Sequence, residues 1–422
     1  MNKIQSIFEH FTDSTFSIAD KKYKTKLHES FLRKRYELET NAYLAKLIPH
    51  LDDYSSDPFL EKTKDAFRNI IGKTGKYKDR ETIGTHPDFK HLENSNDIEK
   101  HYIVSFFVDI KNSTSIFLKT NDLIWTKTFK NTVLRIITIF MQVFDGHVHR
   151  LQGDAVFGYF GWKDKCKEDA IIDSLNTASF LLWYVKNNLN PKLEELGYEP
   201  LKLRIGIDFG KDEDVIWSEY GLFPATEVTT TSLHTDLAAK LQSKAPSNTI
   251  MIGDNIKEFL DLPDEFITTK KYQKENELIE DKYILNNSIK KYKMWIFKYE
   301  SYLKYFPILN SDPKFKMTCF TDSIQYFPNI SALDKGKSLI FTVTHPLKIS
   351  VRGTNNIRFE WKKINRGKEA KIVGQEGPLD VSIKRNNVAE ESTAYRGHHV
   401  MSCRIINNGR TQETIKFGIF IK

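Results

Sequence analysis

The run HYIVSFFVDI, residues 101 to 110, constrains the chain most: it is short, apolar and rich in β-branched and aromatic residues, and it carries an acid, Asp109, near its end. Such a run bounded by polar residues reads as a strand. The polar loop NSTS follows, and then WTKTFKNTVLRIITIFMQVF, whose apolar spacing is helical. Two extended runs, HVHRLQ and AVFGYFGW, flank Gly153-Asp154 and read as a β-hairpin with Asp154 at its tip, although the dipeptide is GD rather than the stronger DG. Helical spacing returns over Lys167 to Leu196, followed by the strand LKLRIGIDFG, a further strand DVIWSEYG and a Thr-rich loop. Leu233 to Gln242 then reads as a helix and NTIMIG as a strand. The order is β-α-β-β-α-β with additions, which predicts an α+β, ferredoxin-like split βαβ sandwich. Its sheet would carry helices on one face and leave the other for a partner.

A chain of 422 residues exceeds one ordinary core, so further units are expected. Residues 1–98 read as a charged helical leader, with helices predicted around Lys22 to Ala45 and Asp57 to Ile71 and stop signals at Gly72, Gly75, Gly84 and Pro87. The unit that carries the β-α-β-β-α-β run is placed at 99–305. Over 318–422 short alternating runs recur, among them SLIFTVTHPLKISVRG, NIRFEWKKIN and TIKFGIFIK, with the turn Asn408-Gly409, and they predict a small all-β module.

Bulk chemistry excludes several classes. Cys166, Cys319 and Cys403 are too few for a disulfide framework and form no CxxC pair, which fits a reducing cytoplasm. The N-terminal MNKIQSIFEHFTDSTF lacks an apolar signal core, and no run approaches the ~20 apolar residues of a membrane span, so a soluble protein without a membrane partner is expected. The formal charge of +8 is spread along the chain without a dense basic block, and no nucleic-acid partner is predicted.

The chemistry rests on Asp109 at a strand end and Asp154 at a hairpin tip. A lone Asp in either place is ordinarily structural, capping the next turn. If the strand and hairpin share a sheet, both carboxylates emerge at one edge, where hard oxygen ligands suit magnesium or manganese. Together FVDIKNST, HRLQGDAVFGYF, LKLRIGIDFG and TDLAAKLQ resemble the catalytic domain of class III nucleotidyl cyclases, over roughly residues 100 to 255. The resemblance implies two Mg2+ or Mn2+ ions held by Asp109, Ile110 and Asp154, and triphosphate binding by the loop Asn112, Ser113 and Thr114. It also implies a homodimer, because the helix completing each site comes from the other subunit.

On that helix the family carries an Asn and, four residues later, an Arg; those places hold Asp236 and Lys240, the implied catalytic pair here. Lys240 supplies charge without the fork of Arg, and Asp236 cannot neutralise a phosphate. The base-reading places hold Arg150 and Thr229. Arg only donates hydrogen bonds, which suits the carbonyl and ring acceptors of uracil or cytosine. This pocket and the β-rich tail resemble the pyrimidine cyclases of bacterial Pycsar anti-phage systems, some of which end in an AGS-C-type sensor domain. The resemblance implies that UTP or CTP, with a slight lean to UTP, becomes cyclic UMP or CMP, which activates a separate effector. An adenylate cyclase making cAMP, or a degenerate nucleotide-binding sensor without turnover, are the alternatives. Two lesser motifs carry less: GKTGK at Gly72 lacks the first Gly of a phosphate loop, and His398 and His399, adjacent on a strand, point to opposite faces and read as one surface and one core residue.

Overall fold

The computed structural model describes residues 4, 6–9, 11–12, 58–74, 83–114, 123–195, 197–309, 314–345, 357–381, 383–385 and 387–422. The helix expected over Lys22 to Ala45 lies outside the described residues. In chain order the main elements before the C-terminal part are α1 (Pro58–Ile71), β1 (Ile103–Ile110), α2 (Leu123–Val143), β2 (His147–Gln152), β3 (Ala155–Phe160), α3 (Lys167–Tyr184) and β4 (Leu203–Gly210). Then follow β5 (Ile216–Leu222), β6 (Ala225–Thr231), α4 (Leu233–Lys244), β7 (Thr249–Gly253) and β8 (Lys291–Phe297). The central sheet runs β8-β7-β4-β1-β3-β2, with β7 parallel to β4 and the other neighbours antiparallel. Its β4-β1-β3-β2 part, joined through α2 and α3, is the ferredoxin-like βαββαβ unit. Helix α3 continues through a π turn at Val185–Leu189 into Asn190–Glu195, so the expected helix stands with one wide turn in it.

Side chains alternate across β1 with period two. Val104, Phe106, Val108 and Ile110 enter the main core shared with α2 and α3, while Ser105, Phe107 and Asp109 face the other way. That second face is not left bare as expected. Helix α4 lies on it across β4, β1 and β7, beside a small sheet formed by β5, β6 and Glu99–Lys100. The physical reason is Gly206: a Cβ there would come within 2.2 Å of the Ala238 carbonyl oxygen, so only glycine admits the helix backbone so close. Gly206→Ala is therefore expected to cost about 1–3 kcal/mol in urea unfolding and to depress activity by lifting α4. An unchanged midpoint would show that the helix does not bear on this strand. Next to α4, Phe89 stacks on Trp217 with ring centroids 3.9 Å apart, over Leu92, Tyr159, Val215 and Val228.

The start of the chain packs into the main core, where Phe8 meets Phe67, Phe140 and Tyr184. Where α1 ends, Gly72 adopts φ +85°, and Lys73 pairs with the buried Asp173, so the described start of GKTGK, residues 72–74, terminates a helix. Lys73, Lys165 and Arg68 converge on two buried carboxylates, Asp173 of α3 and Asp145 of the α2–β2 turn.

Among the described residues the C-terminal part is an all-β sandwich of two five-stranded sheets, as expected, interrupted by the short helix Lys368–Ile372. Polar contacts fasten it to α3: Asn176 donates to the Asn329 carbonyl at 2.9 Å, and Asp169 accepts from the Ala332 amide at 2.7 Å. The reading of His398 and His399 needs correction, since both are buried. One side of their strand packs on the preceding part of the chain, where His398 sits among Phe266, Tyr305 and Phe420 and contacts Asn329; the other side faces the sandwich interior, where His399 donates to the Tyr395 carbonyl. Among the described residues no helix is long and apolar enough to cross a membrane.

Candidate active site

The register of β1 and β3 sets Asp109 opposite Ala155, the residue after Asp154. The hairpin turns through Gly153 at φ +66°, a left-handed conformation that glycine adopts freely. Asp109 and Asp154 thus stand at the same end of adjacent strands. On the other side of β1, Asp109 faces Arg204 of β4. Asp109 Oδ2 accepts from the Arg204 guanidinium and, at 2.8 Å, from Gln242 Nε2 of α4. The Asp109 side chain is 17% exposed, so this charge-assisted pairing sits at the mouth of the site and not in its depth.

Ile110 is buried in the main core, so only its backbone carbonyl is available to a cation. The loop after it begins with Asn112 at φ +62°, followed by Ser113 and Thr114 as the chain turns away from the strand. Asp236 and Lys240 lie one turn apart on the exposed side of α4, whereas Gln242 of the same helix reaches the sheet and Asp109. One chain therefore does not direct Asp236 and Lys240 onto its own Asp109. The helix start is anchored by Ser232, which caps the His234 amide, and by His234 itself, whose Nδ1 donates to the buried Asp208 at 2.9 Å.

Both residues expected to read the base have partners within the chain. Thr229 is engaged with the buried Tyr159 hydroxyl at 3.1 Å. Arg150 is not a lone donor: its Nε donates to Glu227 Oε2 at 2.8 Å, and its second nitrogen pairs with Oε1. Arg204, Gln242 and Glu227 were missed by sequence reasoning. Arg204 was findable, because a cation inside an apolar strand needs a partner. Glu227 carried no signal beyond lying one strand pleat from Thr229.

Among the described residues no group of three or more His, Cys, Asp and Glu side chains is arranged to hold a metal ion. Magnesium is ordinarily held by one or two carboxylates together with substrate phosphates. The two acids at one strand end fit that share.

A βαββαβ sheet presenting two acids beside a paired arginine, with α4 across its second face, defines a class III nucleotidyl cyclase domain. Within that class, the chain is 36% identical to a cytidylate cyclase of Staphylococcus aureus over 416 residues, covering 94% of both chains. It is 31% identical to a cytidylate cyclase of Escherichia coli, covering all of this chain and 92% of that one. Residues 297–422 match the family described as the Adenylyl/Guanylyl and SMODS C-terminal sensor domain, starting upstream of the boundary expected at 318. The adenylyl cyclase CyaB of P. aeruginosa superposes with a TM-score of 0.40 at 16% identity, over 48% of this chain and 95% of that one, a likeness too loose to assign residues. The chain belongs to the pyrimidine nucleotide cyclases, a family of phosphorus–oxygen lyases, and carries their C-terminal sensor-type domain.

Proposed function

We propose that the protein converts CTP to 3′,5′-cyclic CMP and pyrophosphate. The observation that carries this reading is the apposition of Asp109 and Asp154 beside Arg204 in a chain 36% identical to a cytidylate cyclase. The relatives' substrate moves the preference from UTP to CTP. In this reading Asp109, Asp154 and the Ile110 carbonyl hold two Mg2+ or Mn2+ ions. When bound, those cations activate the ribose 3′-hydroxyl and neutralise charge on the phosphates. Arg204 leaves Asp109 and grips phosphate oxygens with its fork, and the Asn112, Ser113 and Thr114 backbone orients the triphosphate. The 3′-oxygen forms its bond to the α-phosphorus as the bond to the β-phosphate oxygen breaks in line; the hydroxyl proton passes to solvent and pyrophosphate departs. Positioning and charge neutralisation supply most of the acceleration.

Asp236 and Lys240 face outward and serve the site of a second copy, Lys240 giving the positive charge and Asp236 a ribose hydroxyl acceptor. The active form is accordingly a homodimer. Its product is a second messenger of anti-phage defence acting on a separate effector, and the C-terminal domain responds to the trigger; the sensor description of that domain supports the last of these roles alone.

The test is incubation of purified protein with manganese and each of the four ribonucleoside triphosphates. Cyclic CMP as main product is expected; cyclic AMP as main product, or tight binding with no cyclic product, would sink the reading. Mixing inactive Asp109→Ala and Lys240→Ala chains is expected to restore up to about a quarter of wild-type activity, as random pairing leaves one intact site in half the dimers. No recovery would count against shared sites.

A further inference from the structure

Arg150 sits where the edge strand β2 shifts register against β3 between Val148 and Arg150. A bulge of this kind re-aims the side chain beside it. The re-aimed guanidinium meets Glu227, which reaches it from β6 as a two-pronged partner. The pair is open to solvent, Arg150 being 42% and Glu227 43% exposed. An ion pair so exposed contributes little to stability. Its surroundings give it another use. Arg150 lies opposite Phe157, whose ring stacks on Phe107 with centroids 4.2 Å apart and planes 9° from parallel. Phe107 precedes Asp109 by two residues on the same strand, so the aromatic pair and the ion pair share the sheet face that bears Asp109.

An aromatic wall with a donor and an acceptor at its edge is what reading a planar heterocycle requires. The order of donors and acceptors separates the pyrimidines. Cytosine presents an amino donor at position 4 and acceptors at N3 and O2; uracil presents an acceptor at position 4 and a donor at N3. A donor-only Arg150 would take the uracil 4-oxygen readily. A carboxylate only accepts, and opposite that oxygen it repels. We infer that Glu227 determines base choice: its carboxylate takes a 4-amino hydrogen of cytosine while Arg150 donates to N3 and O2. The guanidinium has five N–H donors, and a fork on Glu227 uses two, leaving three for the ring. Thr229, one pleat along the same face of β6, is held by Tyr159 and plays no part in this contact. The inference rests on the cyclase reading for its substrate, and it names the residue that sets the base.

The decisive variant is Glu227→Gln, which adds a donor facing position 4 and removes the charge. Two readouts are needed: kcat/KM for CTP and for UTP with manganese, and the affinities of non-hydrolysable α,β-methylene CTP and UTP by calorimetry. The CTP-to-UTP ratio is expected to fall at least tenfold in both, through loss of CTP with UTP held or improved. Equal loss for both nucleotides, with the ratio preserved, would overturn the inference and leave Glu227 a mere support for Arg150. Glu227→Asp keeps the acceptor and guards against misfolding of the Gln variant; it is expected to keep the preference for CTP, and a switch to UTP would equally overturn the assignment. Should wild type yield no cyclic product while its selective binding of the CTP analogue depends on Glu227, the cyclase reading falls and the contact stands.

Discussion

Asp109→Ala is expected to lower kcat at saturating manganese and CTP by about a thousandfold or more, roughly 4 kcal/mol of barrier. The reason lies in what the carboxylate faces. Its Oδ2 is the meeting point of Arg204 and Gln242, and Asp154 stands one register step away, so removal takes out a metal ligand and also leaves the arginine without its anion. The second effect is structural and must be separated from the first. Asp109→Asn keeps an oxygen for Gln242 and Arg204 but halves the hard-anion donor set, and it is expected to fold like wild type while losing nearly as much activity. Manganese should raise the wild-type melting temperature, because a ligand that binds only the folded state stabilises it. In Asp109→Asn and Asp154→Asn that rise should vanish. If either variant stays within tenfold of wild-type kcat, or still gains stability from manganese, the two acids do not form the ion site.

That pair was legible in the sequence because strand and hairpin signals are local: apolar alternation fixes HYIVSFFVDI as a strand, and Gly153-Asp154 between two extended runs fixes a turn. The element order β-α-β-β-α-β followed from the same signals, and the four strands pair in the order β4-β1-β3-β2. What stayed hidden depends on contacts between segments distant in sequence. Gly206 looked like any glycine in a strand, and only the approach of Ala238 shows that it seats a helix on the second face. Glu227 could not be matched to Arg150 without knowing that β6 folds back toward β2, since 77 residues separate them. The burial of both His398 and His399 has the same origin: alternation assigns them to opposite sides of one strand, but one side packs on the cyclase part and the other on the second sheet.

The buried cluster under α1 gives the largest stability effect expected of any substitution outside the site. Asp173→Ala should cost about 3–5 kcal/mol in urea unfolding at pH 7, because it leaves Lys73 and Lys165 with only Asp145, already shared with Arg68. Acid should expose the same network. Burial alone would raise the Asp145 carboxyl, but Lys165, Lys73 and Arg68 outweigh it and hold it down at about 2. The unfolded chain keeps an ordinary aspartate near ~3.9, so the folded state binds this proton less readily. The contribution is therefore complete above the unfolded value and is lost as pH falls from about 4 toward about 2, on the order of 2–3 kcal/mol. In Asp145→Asn that acid-dependent loss should disappear from the pH profile, with neutral stability already lowered. The functional consequence follows from where α3 leads: it carries Asp173 into the cluster and Asp169 and Asn176 into the C-terminal sandwich. Loosening it should free the sandwich as well as α1, so limited proteolysis should release the sandwich faster in Asp173→Ala; if unfolding midpoint and release rate both match wild type, the cluster is not what joins these three parts.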